Sequence, residues 1–142
     1  MNRVRIQLPE RKLFSTVLSI RVSDINYGRH LGNDAVLSLM HEARYRMFNS
    51  WGYKSDLEIE GVGTIQLDTA IQYKGEGFHG DVLTVVVFAG EVGSRTFELY
   101  YEVKAGEKLV ALGKTGLGIF DYEAKKMVSI PQPFLQKLTD HL

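Results

Sequence analysis

Apolar and polar positions give the chain two textures. In residues 13–22, Phe14, Val17, Leu18, Ile20 and Val22 alternate in part with polar neighbours, which predicts a first strand. Residues 23–32 carry Gly, Asn and Asp and predict a loop. Beyond them Val36, Leu39, Met40, Ala43 and Met47 recur at the i, i+3, i+4, i+7 spacing of one helical face. That spacing predicts a helix capped by Asn33 or Asp34, running to about Ser50 and closed by Gly52. At 1.5 Å per residue such a helix is about 27 Å long, enough to cross a small sheet.

The second half is β-rich. Residues 64–73, 81–92, 96–103 and 109–120 read as strands. Glycine-bearing turns separate them at Gly75-Glu76-Gly77, Gly93-Ser94 and Gly106-Glu107, and such short connections predict an antiparallel meander. Gly113, Gly116 and Gly118 inside the last run suit bulges or a close backbone approach. A short helical tail is expected over 134–141, after Pro131 and Pro133. One strand, one long one-faced helix and four strands make an α+β chain. Its economical packing is a curved antiparallel sheet of about five strands around one central helix. Pairing with a second subunit would cover what such a sheet leaves open.

Composition narrows the chemistry. The 142 residues fit one domain over 1–142 and suffice for a sizeable core. Without cysteine there is no disulfide, thiolate metal site or cysteine nucleophile. Seventeen basic residues against 17 acidic ones leave no basic excess, which argues against a nucleic-acid partner. No apolar run reaches membrane length, and the polar start of the chain has no leader-like apolar stretch. The expectation is a cytoplasmic protein.

The sharpest local feature is Asp24-Ile25-Asn26-Tyr27-Gly28-Arg29-His30-Leu31-Gly32-Asn33, between the first strand and the helix. It gathers Asp24, Asn26 and His30 just ahead of a helix start. With Glu42-Ala43-Arg44 on the helix, the Gly80-Asp81-Val82-Leu83 turn and Thr115-Gly116 in the last strand, the segment resembles the 4-hydroxybenzoyl-CoA thioesterase-like branch of the hot-dog superfamily. It is also similar to the Asp-x-Asn-x-His segment of acyl-carrier-protein thioesterases. The resemblance spans nearly the whole chain. It implies a hot-dog fold, a homodimer or homotetramer with sites at the subunit interface, and metal-independent hydrolysis of an acyl thioester. Coenzyme A would enter as part of the substrate, with no separate cofactor. Many relatives carry a second, catalytic acid where this chain has Asn26, and here Arg29 splits the Gly-His pair.

Thioester hydrolysis needs an activated water, donors for the developing oxyanion and channels for both arms of the substrate. A carboxylate, Asp24 or Glu42 of a partner subunit, would orient or deprotonate the water. Asn26 would hold the water or the carbonyl, and His30 would serve the leaving thiolate. The N–H groups of Leu31, Gly32 and Asn33 at the helix start would bind the thioester oxygen. Each residue also has a structural reading. Asp24 and Asn26 suit turns, His30 suits loop packing, Asn33 suits a helix cap, and Glu42 stands four residues before Arg46. Arg29 and Arg44 read as solvated cations rather than phosphate binders.

Other patterns fail. Gly113-Lys114-Thr115 has Lys108 where a phosphate loop needs glycine, and His41-Glu42 has Tyr45 where a zinc helix needs its second histidine. His79 and His141 have no ligand spacing. Two competing functions share the fold: a non-catalytic acyl-CoA binder, and an enoyl-thioester hydratase.

Overall fold

A computed structural model describes residues 1–140, so His141 lies outside the described residues. The elements are β1 (Lys12–Ser19), a 3-10 turn (Val22–Asp24), α1 (Asn33–Ser50), β2 (Gly63–Tyr73), β3 (Val82–Val92), β4 (Thr96–Ala105), β5 (Lys108–Asp121), the two-residue β6 (Lys126–Met127) and α2 (Gln132–Thr139). All strand pairs are antiparallel, in the order β1-β3-β4-β5-β2, with β6 added to β5. The sheet thus has six strands, one short strand more than the pattern predicts.

The strand order corrects the expected meander. Only β3, β4 and β5 follow one another in space, and β2 pairs with β5 at the far edge. Turn length reports that strands can be neighbours, not which strand wins the pairing. Here β1 takes the place beside β3 that a meander would give to β2.

α1 carries the chain from the β1 edge to the β2 edge and is tied to strands along the way. Arg46 reaches Thr16 Oγ1 (3.0 Å) and the Val17 carbonyl (3.1 Å) on β1. Arg44 reaches Tyr101 on β4, and Tyr101 reaches Thr115 on β5. The Tyr73 hydroxyl of β2 donates to the Asn33 carbonyl at 3.1 Å. Met40 lies where a Cβ at Gly113 would have to go, so glycine there lets the helix approach β5.

The core follows the period of two expected of strands packed on one face. Leu83, Val85 and Val87 of β3 and Phe97, Leu99, Tyr101 and Val103 of β4 are buried, with more exposed residues between them. Leu39, Met40, Ala43, Met47 and Phe48 of α1 meet them from above. α2 closes one end: Phe134 lies 5.3 to 5.9 Å, ring to ring, from Phe48, Trp51, Tyr53 and Phe97. Burying a ring of that size is worth about 1.5–3 kcal/mol.

Two boundaries move for physical reasons. β1 stops at Ser19 because the Asp24 carboxylate accepts the Arg21 N–H (2.8 Å) and draws the chain into the 3-10 turn, which leaves Val22 exposed. α1 is capped by the backbone of Gly32, not by the Asn33 or Asp34 side chain, and Asn33 is the first helical residue. At the other end Gly52, with φ +94°, takes the left-handed conformation that stops the helix.

Candidate active site

The loop ahead of α1 is held almost entirely by its own backbone. Asn26 is the brace. Its Oδ1 accepts the N–H groups of Gly28 (2.9 Å) and His30 (3.3 Å), its own N–H donates to the His30 carbonyl (2.9 Å), and its carbonyl accepts the Arg29 N–H (3.1 Å). This tight ring forces Arg29 to φ +67°, a conformation that costs a side chain with a Cβ about 1–2 kcal/mol. Asparagine suits the brace because its side chain offers an acceptor to nearby N–H groups.

The rim of the loop docks on the β2–β3 connection. The Leu31 N–H donates to the Gly77 carbonyl at 2.7 Å. A Cβ on Gly77 would run into Ile20 and Leu31, so that turn must be glycine for the loop to seat. His30 stands beside it, half-exposed, with Nδ1 3.8 Å from Glu76 Oε1 and its ring edge-on to Phe78 at 5.9 Å.

Asp24 is buried beneath this loop. Its Oδ2 holds the Arg21 N–H, its backbone carbonyl accepts the Gly32 N–H at 2.9 Å, and its Oδ1 accepts no hydrogen bond among the described residues. The helix cap is therefore bonded to the backbone of the residue that carries this carboxylate. Of the three expected oxygen-binding donors, Leu31 and Gly32 are spent inside the chain. The N–H groups of Asn33 and Asp34 open the helix and have no acceptor among the described residues. A helix start leaves such donors free and adds the positive end of its dipole.

Glu42 is not part of this cluster within one chain. It accepts from Arg46 at 2.8 Å on the face of α1 that turns toward β1, where Arg46 ties it to Thr16 and Val17. The pairing at i+4 is the structural alternative that the sequence offers. Arg29 is exposed, as expected, but Arg44 is not: it is one of the four buried polar or charged residues among the described residues. Its position four residues after Met40 and eight after Val36 puts it on the buried stripe. That spacing was the signal that a reading by residue type passes over.

A second polar site lies on the opposite flank of α1, against β2. Leu37, His41 and Arg44 line a groove with Asp56, Gln66 and Thr69. His41 Nε2 is 3.4 Å from Asp56 Oδ2. Nothing in the strand and helix patterns singles out this pair, because Asp56 comes from the irregular segment after α1. No group of three His, Asp or Glu side chains among the described residues is placed to hold a metal ion. No helix is long and apolar enough to cross a membrane.

Comparison with known proteins places this architecture. A 1,4-dihydroxy-2-naphthoyl-CoA thioesterase from Synechocystis superposes with a TM-score of 0.80 at 19% identity, over 89% of this chain and 96% of that one. A hypothetical protein from Aquifex aeolicus gives 0.81 at 23% identity, over 89% and 99%. A hypothetical protein from Staphylococcus aureus, solved in complex with CoA, gives 0.79 at 14% identity, over 94% and 85%. Identities this low establish the fold, which is the hot-dog arrangement. No curated protein matches the chain. The family model of the thioesterase-like superfamily matches residues 20–138, from just after β1 into the closing helix α2, and the chain therefore belongs to that superfamily.

Proposed function

We propose that the protein hydrolyses an acyl thioester to the free acid and the thiol, with coenzyme A as the thiol arm. The observation that supports this best is the meeting of Asp24 with the open end of α1. The Asp24 backbone carbonyl holds the Gly32 cap, its Oδ1 accepts no hydrogen bond among the described residues, and the first two helical N–H groups after that cap have no acceptor, in a chain of the thioesterase-like superfamily.

In this reading Asp24 Oδ1 takes a proton from water as the water oxygen bonds to the thioester carbon. The Asn33 N–H holds the oxyanion, a contribution of about 10²–10³ in rate for one donor. Collapse breaks the C–S bond, and His30 gives a proton to the departing thiolate. Asn26 acts as a positioning residue through the loop. No bound cofactor takes part. Glu42 serves as a strut between α1 and β1.

β2 presents a long unpaired edge, which a soluble chain normally covers. We place a second copy against it, as a homodimer, and the site of action in the cytoplasm. Such a dimer keeps the flank of α1 that carries Glu42 away from the interface, which is the geometric reason for preferring Asp24 over a partner's Glu42.

Thiol release from short, medium, long and aromatic acyl-CoAs tests the reaction. Release above background with a chain preference supports hydrolysis. A second reading, acyl-CoA binding without turnover, draws on one observation: Asn26 stands where many relatives carry an acid, and its side chain is committed to the loop. A melting shift with acyl-CoA and no thiol release would favour that reading.

A further inference from the structure

Among the described residues two arginines keep a buried Nε without a hydrogen bond, Arg11 and Arg44, and Arg44 is the more deeply buried of the two. The residue is 4% exposed, and only Nη1 has a partner, the Tyr101 hydroxyl at 3.1 Å. Nε is buried with no hydrogen bond, and no carboxylate among the described residues lies within ion-pair distance. An arginine stays charged in proteins, and a buried charge is ordinarily paired. The one carboxylate that shares its groove, Asp56, is turned to His41.

The groove has a direction. The Tyr73 hydroxyl fixes the last residue of β2 to Asn33 at the helix start, and the Thr64 N–H fixes the other end of β2 to the Asp56 carbonyl at 2.8 Å. β2 therefore runs back along α1, and Leu37, His41 and Arg44 follow one another at i, i+4 and i+7 down the wall between them. A helical rise of 1.5 Å per residue puts Arg44 about 16 Å beyond Asn33, and the tilt of helical side chains toward the N-terminus shortens that reach.

We propose that this groove takes an acyl chain whose far end carries a carboxylate, and that Arg44 binds that carboxylate. The substrate class is an ω-carboxyacyl thioester. The acyl identity rests on the thioester reading above; the carboxylate rests on the buried cation alone. The reacting carbonyl sits at the Asn33 end, the methylene chain passes Leu37 and Thr69, and the terminal carboxylate meets Nη2 of the guanidinium, the nitrogen that neither Tyr101 nor the surrounding packing occupies. A guanidinium matches a carboxylate in shape as well as charge.

The test compares matched substrates on the wild-type protein: sebacoyl-CoA with decanoyl-CoA, and adipoyl-CoA with hexanoyl-CoA. A charged hydrogen bond of this kind predicts a kcat/KM ratio of roughly 10- to 100-fold in favour of sebacoyl-CoA over decanoyl-CoA. In Arg44→Met the ratio falls close to one. A wild-type ratio at or below one for both pairs overturns the proposal, as does a ratio that survives Arg44→Met. Should that variant not fold, free decanoate against 1-decanol decides: a melting rise with decanoate alone supports the site, and equal or absent rises overturn it. The same measurement applies if no thioester is hydrolysed. Hydrolysis would then be lost as a function while the carboxylate site still stands or falls on its own. A groove already filled by a carboxylate of a second copy would give equal melting behaviour and no preference, and so overturns the proposal too.

Discussion

The two flanks of α1 treat polar groups in opposite ways. In the loop before the helix, Asp24, Asn26, Leu31 and Gly32 spend hydrogen bonds on neighbouring backbone. In the groove toward β2, a buried guanidinium has a partner for Nη1 alone, and its buried Nε has none. The outer face of the sheet sharpens the contrast. There Lys114, only partly buried, has Asp68 at 2.7 Å and Glu98 at 3.6 Å. The more exposed cation has two carboxylates and the buried one has none. Folding alone would favour the reverse, because pairing matters most where water is excluded.

The largest effect is expected of Asp24→Asn. The amide still accepts the Arg21 N–H, so the loop should keep its shape and melting temperature. Hydrolysis should fall by about 10²–10⁴, the span typical of a lost general base. Near-normal thiol release would remove Asp24 from the reaction and leave it a purely structural cap.

Asn33→Pro is the next largest. Proline is tolerated at the first helical position and removes only its N–H. Gly32, at φ −69° and ψ 148°, already has the extended conformation that precedes proline. Activity should drop by about 10²–10³ with helical circular dichroism unchanged. Undiminished kcat would show that the oxygen is held elsewhere.

Arg29→Gly sharpens the structural side. Releasing the strain at φ +67° should outweigh the flexibility that glycine adds to the unfolded chain, for a gain of about 0.5–1 kcal/mol in denaturant unfolding. A loss of stability would mean that the Asn26 ring does not need the left-handed turn.

The smallest effect is expected on the outer face. The hydrogen bond from Lys114 holds the Asp68 carboxyl below its ordinary 3.8, and the same bond holds the Lys114 ammonium above its ordinary 10.5. The Asp68 contribution is therefore present above about pH 3.8 and is lost as pH falls through the lowered value. The Lys114 contribution is present below 10.5 and is lost as pH rises through the raised value. Asp68 is largely exposed, so Asp68→Asn should cost only about 0.2–1 kcal/mol at neutral pH and flatten the acid limb of thermal stability. A larger cost would place this pair at a buried interface.

Much of the architecture was legible along the chain. The helix over Asn33–Ser50, the strands over Gly63–Tyr73 and Thr96–Ala105, and the loop that carries Asp24 and His30 all follow from local periodicity and turn chemistry. Those signals are written in neighbouring residues, because helix and strand faces repeat over a few positions. The strand order was not legible, since the choice between β1 and β2 as partner of β3 depends on competition between distant segments.

The same division holds for the site. Local sequence places Asp24, Asn26 and His30 just ahead of a helix whose first N–H groups are free. Only the tertiary structure decided that Asn26 braces the loop, that Leu31 and Gly32 give their N–H groups to Gly77 and Asp24, and that Arg44 is buried without a counterion. Residue type sets which bonds a side chain can make. Whether those bonds are already spent depends on groups brought together from across the chain, as Arg44 meets Tyr101 and Asp24 meets Gly32.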